Sequence, residues 1–215
     1  MFWRTTLGLV LLTVTSVCNG QEAPDLSLFL DFDTAPSSVF VHAMETEVAV
    51  ILKPTDLRLH WFRPKEKFAS QPQAPADRGR KMVFSFRGSC TAVGGTFDAP
   101  VKLFALANTP VREGVVQPYS RMDCDQLRDF LEPYEPSRLG EEARLGRAMA
   151  RILAHELYHI LLQTREHSKT GIAKAVHTPA ALLGRSLKFE NGELEKIRES
   201  YALTSANQNT SFAAN

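Results

Sequence analysis

Apolar and polar positions alternate from the first stretch after residue 23. Leu26, Leu28, Leu30 and Phe32 recur at every second position, which predicts a half-buried β-strand. Pro36-Ser37-Ser38 then offers a helix start. Val41, Met44, Val48 and Ile51 recur at steps of three and four until Pro54 closes the run. Period two returns in Leu57-Arg58-Leu59-His60-Trp61-Phe62 and in Lys81-Met82-Val83-Phe84-Ser85-Phe86. Val101 to Ala107 reads as a fourth strand and Val115-Val116 as a short edge piece. Between these, Pro64 to Lys81 has no period and reads as a long surface loop, and Gly94-Gly95 as a turn.

The second half is helical. Asp123 to Leu131 starts with acids in its first turn, where the macrodipole favours them, and stops at Pro133 and Pro136. A long helix opens at Glu141 or Glu142 and runs to Leu162. Nothing from Ala148 onward breaks it. Ala148, Ile152, His155 and His159 form one stripe, while Leu153, Ala154, Leu157, Ile160 and Leu161 cover the other faces. A helix apolar nearly all round belongs in the interior. Thr178-Pro179 is an N-cap and first-position pair for a short helix through Leu183. Asn191-Gly192-Glu193 leads into a last helix ending near Leu203, followed by a small, polar tail over 204–215.

Within the long helix stands His155-Glu156-Leu157-Tyr158-His159, an H-E-x-x-H sequence. Residues i and i+4 lie one turn apart on one face, so both imidazoles can reach one cation. Glu156 is placed to act as general base on a metal-bound water. Two histidines and a glutamate inside a buried helix are costly without a partner, and a cation is the natural one. Four of the six histidines fall between positions 155 and 177.

A catalytic zinc takes three protein ligands and a water. His167 is the leading third ligand, with Glu190, Glu193, Glu195 and His177 as rivals. A straight helix would carry His167 about 12 Å beyond His159, at 1.5 Å per residue, so the chain must turn back. The polar run Gln163 to Gly171 supplies that turn.

The motif resembles the active-site helix of the zincin metallopeptidases, and the later histidine is similar to the metzincin order of helix, turn and third histidine. Where metzincins carry glycine and then histidine after the second ligand, this chain has Leu162 and Arg165, and no methionine follows Met149. The longer pattern, with His167-Ser168-x-x-Gly171-Ile172 and Lys174, resembles small secreted bacterial zincin-like proteins of unassigned substrate, with gaps from Phe84 to Ile197. The resemblance implies one Zn2+ on His155, His159 and His167, with catalysis by Glu156. It implies an α+β minimal zincin-like domain, its small mostly antiparallel or mixed sheet packed against helices. In that layout the cleft lies between an edge strand and the metal helix, and an extended peptide could add as a strand. Tyr201 and His177 are candidates for a second oxyanion donor.

The N-terminus narrows the setting. Arg4, the apolar run Leu7 to Val17 and small Gly20 read as a signal peptide over 1–20. That run is too short to span a bilayer, and Val17 disfavours lipidation of Cys18. Residues 21–203 then form a single domain, secreted or periplasmic. Removing the signal leaves Cys90 and Cys124, an even pair that suggests a disulfide. Net charge is +1 with dispersed basic residues, so no nucleic-acid stripe or membrane-surface helix is present. The expected function is a secreted zinc metalloendopeptidase acting on peptides or proteins. The alternatives are a zinc-stabilised binding protein and a non-peptidase metal hydrolase. Oligomeric state is not legible.

Overall fold

The computed structural model describes residues 23–63, 79–92, 105–134, 137 and 139–212. The signal segment, most of the 64–81 loop and the Gly94-Gly95 turn lie outside these residues, as do positions 101–104 of the expected fourth strand.

Strand β1 (Asp25–Phe32) occupies the sheet's interior, with Leu26, Leu28, Leu30 and Phe32 buried on one face as their alternation requires. It pairs in parallel with β2 (Arg58–Phe62) on one side and β3 (Arg80–Arg87) on the other, Leu28 standing opposite both Trp61 and Met82. The chain continues through β4 (Ala107–Asn108), a small antiparallel ribbon of β5 (Val111–Arg112) and β6 (Val115–Val116), and β7 (Tyr119–Asp123). The main sheet has the order β2-β1-β3-β7-β4. It is mixed: only the β4–β7 pairing is antiparallel. Strand β7 goes unread in the sequence because Met122 is its one buried apolar residue and Ser120 takes the other inward position.

Helices cover one sheet face. Helix α1 (Ser38–Leu52) is capped by Ser37, whose Oγ accepts Phe40 N–H at 3.1 Å. The same hydroxyl donates to Glu142 at 2.6 Å, joining α1 to the start of α3 (Glu141–Leu162). The two helices lie against each other at Gly146, where a Cβ would collide with Phe40 O. Helix α3 is buried almost continuously from Leu145 to Leu161. Helix α2 (Cys124–Leu131), α4 (Pro179–Leu183) and α5 (Asn191–Phe212) complete the α+β architecture. Helix α5 continues past Leu203, where the sequence suggested a tail.

Cys90 and Cys124 form a disulfide with 4.9 Å between Cα atoms, tying the chain after β3 to the first residue of α2. Closing a loop of this length restricts the unfolded chain by about 4 kcal/mol in the chain-entropy model. Among the described residues no helix is long and apolar enough to cross a membrane.

Candidate metal centre

Helix α3 stops after Leu162 because Gln163 adopts φ 51°, and the N–H groups of Gln163 and Thr164 both return to His159 O. Gln163 fixes the bend by donating its side-chain amide to Val116 O and Ile160 O. Farther on, Ser168 bridges to Lys174, and Gly171 turns with φ 69° where a Cβ would press on Lys188 O. The loop thus folds back along the helix it has left, which is how His167 escapes the reach of a straight helix.

This return brings the histidines together. The ligand atoms of His155, His159 and His167 lie within 4.8 Å of one another. The His167 ring centroid is 4.8 Å from that of His159 and 5.2 Å from that of His155. Nδ1 of His155 lies 2.8 Å from Ile172 O, and Nδ1 of His159 lies 2.8 Å from Thr164 O. A carbonyl can only accept, so in both rings Nδ1 carries a proton, which in the neutral ring leaves the lone pair on Nε2. The two Nε2 atoms stand 3.0 Å apart. Two lone pairs that close call for a shared cation, and an all-imidazole donor set suits zinc.

Burial lowers the pKa of His155 to about 4, with the neighbouring His159, His177 and His167 adding to the shift against the Ile172 carbonyl. His167 is lowered by the same causes, burial first and then His159 and His177. Both are neutral at pH 7, as metal ligation requires. Glu156 moves the opposite way: burial raises it, opposed by the hydroxyls of Thr109 and Ser120 and by His159. Its Oε2 accepts the Thr109 hydroxyl at 2.5 Å.

All four residues border a cleft of about 800 Å³. Its walls are apolar, built from Leu106, Val111, Val116, Phe130, Ile152 and Leu182, with Asn108, Thr109 and Arg165 among the polar groups. Strand β4 supplies one side, as expected of an edge strand beside this helix. Arg151 supports another side. Buried at 3% exposure, it pairs with Glu47 and donates to Leu182 O and Gly184 O at 2.6 Å each, holding α4 against α3.

The rival third ligands lie elsewhere. Glu190 accepts from Thr170, and Glu193 accepts the Glu190 N–H at the start of α5, while Glu195 is exposed. His177 borders the cleft with its ring centroid 5.8 Å from that of His155, outside the three-histidine group, and donates Nε2–H to Ile172 O. Tyr201 is a correction. Its hydroxyl donates to Asp25 O and accepts Arg80 N–H at the sheet, remote from the oxyanion role considered for it. His60 pairs with Asp25 at 2.8 Å on β2 and is no ligand. Thr109, Ser120 and Arg151 had no local signal, since each acts through groups distant in sequence.

No protein-family model and no curated protein sequence matches this chain. Among solved structures, it is similar to a zinc-dependent peptidase from Methanocorpusculum labreanum, with 12% identity and a TM-score of 0.50 over 80% of this chain and 99% of that one. An archaemetzincin from Methanopyrus kandleri aligns over 86% of this chain and 98% of its own, at 13% identity and a TM-score of 0.45. The likeness is one of fold.

Proposed function

We propose that this chain is an exported zinc-dependent endopeptidase. The observation that carries the reading is the convergence of three imidazoles, two with Nε2 lone pairs facing each other, beside a buried carboxylate in an open apolar cleft. His155, His159 and His167 would hold one Zn2+, which supplies carbonyl polarisation and an acidified water when bound. Glu156 would accept a proton from the cleft and return it to the leaving amine. The apolar walls would exclude water from the reacting bond, and β4 would align an extended peptide along the sheet edge. His177 keeps its N–H on Ile172 O, so any role toward an oxyanion would require that bond to open. A cluster opening onto a cleft this size favours an enzyme over a zinc-stabilised binding protein. Export rests on the basic and apolar start of the chain, and a disulfide suits an oxidising compartment.

The test is metal analysis and digestion of a mixed peptide library by mature protein and Glu156→Gln side by side. Both should carry one zinc, and cleavage should fall at least 100-fold in the variant, the lower end of general acid–base contributions. Equal cleavage by both would refute the role of Glu156. Hydrolysis of small esters without cleavage of any peptide would move the protein to the non-peptidase hydrolases.

A further inference from the structure

Resting on the peptidase reading, we propose that Thr109 is a positioning residue for Glu156, holding one carboxylate oxygen so that the other meets the proton in the cleft. The contact joins two elements far apart in sequence: Thr109 Oγ1 donates to Glu156 Oε2 at 2.5 Å, and both residues line the cleft. A hydroxyl facing a carboxylate must be the donor, and such charge-assisted bonds are short and strong.

The backbone around Thr109 is pinned on both sides. Asn108 is paired with Arg121 in the sheet, and its carbonyl accepts the Ser120 hydroxyl at 3.1 Å. Pro110 O accepts Gln117 N–H at 2.9 Å. Thr109 is also β-branched, so few χ1 rotamers are open to it. The donor is therefore rigid. Glu156, by contrast, reaches out from α3 on a side chain with three rotatable bonds. The Ser120 hydroxyl also lies beside its carboxylate, but that hydroxyl donates its one proton to Asn108 O, and Thr109 makes the short bond to Oε2. Without the Thr109 hydroxyl the carboxylate would lose its short fixed donor and could turn toward the histidines. A general base must lie within hydrogen-bond reach of its proton, and a misplacement of about 1 Å can cost on the order of 100-fold.

Thr109→Val keeps the shape and removes the donor, and Thr109→Ser keeps the donor. Zinc content, thermal midpoint, kcat and KM on a cleaved peptide would be measured for both. Titration of the zinc-loaded proteins with a dipeptide hydroxamate, whose hydroxyl proton Glu156 must accept, gives a readout that needs no turnover. The valine variant should lose 10- to 100-fold in kcat with KM within about twofold, and bind the hydroxamate about tenfold more weakly. It should keep its zinc and thermal midpoint, and serine should restore most of the loss. Wild-type kcat and hydroxamate affinity in Thr109→Val would overturn the proposal. So would a serine variant as impaired as the valine one, or loss of zinc in the valine variant. If wild-type protein cleaves no peptide, the peptidase reading fails, and the hydroxamate titration still decides the role of Thr109.

Discussion

Helix α3 is buried on both sides of its midpoint from Leu145 onward, Arg147 apart, and its two halves are built on opposite principles. The first half, around Leu145, Gly146, Ala148 and Met149, meets α1 mainly through shape, with one hydrogen bond from Ser37 to Glu142 at its start. The second half carries Arg151, His155, Glu156 and His159, all under 10% exposed. Three of those side chains grip backbone that arrives later in the chain: Arg151 holds the end of α4, His155 holds Ile172 and His159 holds Thr164. Shape needs only small residues at the right period. Gripping carbonyls fixes a loop against the helix and turns the remaining ring nitrogens toward one point. Burial alone therefore says little about which half works chemically; the partners of the buried groups say it.

The sharpest way to break this contrast is His155→Ala. It removes one of three imidazoles and the donor to Ile172 O together, so the purified protein should lose its stoichiometric zinc and all peptide hydrolysis. Metal analysis after dialysis decides it. A variant that retains one tightly held zinc would show that the ion sits elsewhere.

Arg151→Met tests the polar half without touching the metal group. The change strands Glu47 and leaves the Leu182 and Gly184 carbonyls without their donor, while a methionine of similar length fills the space. Breaking a buried pair by removing one partner costs about 3–5 kcal/mol, and Glu47 is partly exposed, so about 3 kcal/mol is expected from denaturant unfolding. Zinc content should stay at one per chain. A loss under 1 kcal/mol would mean that α4 is held by its apolar contacts and that the grip is incidental.

The same contrast explains what is legible in the sequence. His155, Glu156 and His159 sit four residues apart or less, so helix geometry alone places them on one centre. His167 is readable one step further out, because apolar periodicity ends at Leu162 and Gly171 permits the return. Strands β1, β2 and β3 follow from period two. What escapes is anything settled by distant partners. Parallel pairing leaves no mark on alternation, and β7 has too few apolar residues to announce itself. Thr109 reaches Glu156 across 47 positions. Tyr201 offers the right chemical group for the cleft, yet its hydroxyl meets Asp25 O at the sheet, 176 positions away.

Gly146→Ala probes the dry half and has the smallest expected effect. In an exposed helix this change stabilises by about 1 kcal/mol, because alanine loses less backbone freedom on folding. Here the new methyl would meet the Phe40 carbonyl oxygen head-on and come within 3.1 Å of Ala43 Cβ. Neither obstacle can swing aside as a flexible side chain could: one is helix backbone and the other is a methyl fixed to it. The helices must part, loosening the edge-to-face contact that Phe40 makes with Phe32 of the sheet. Overpacking of this kind costs about 1–3 kcal/mol and exceeds the propensity gain, so the sign is a net loss of about 1 kcal/mol. Thermal unfolding of the metal-free protein should show a midpoint a few degrees lower, with zinc affinity unchanged, since the contact lies more than two helical turns from His155. A raised midpoint would mean that α1 and α3 can separate freely. Shape would then not be what orders the first half of the helix.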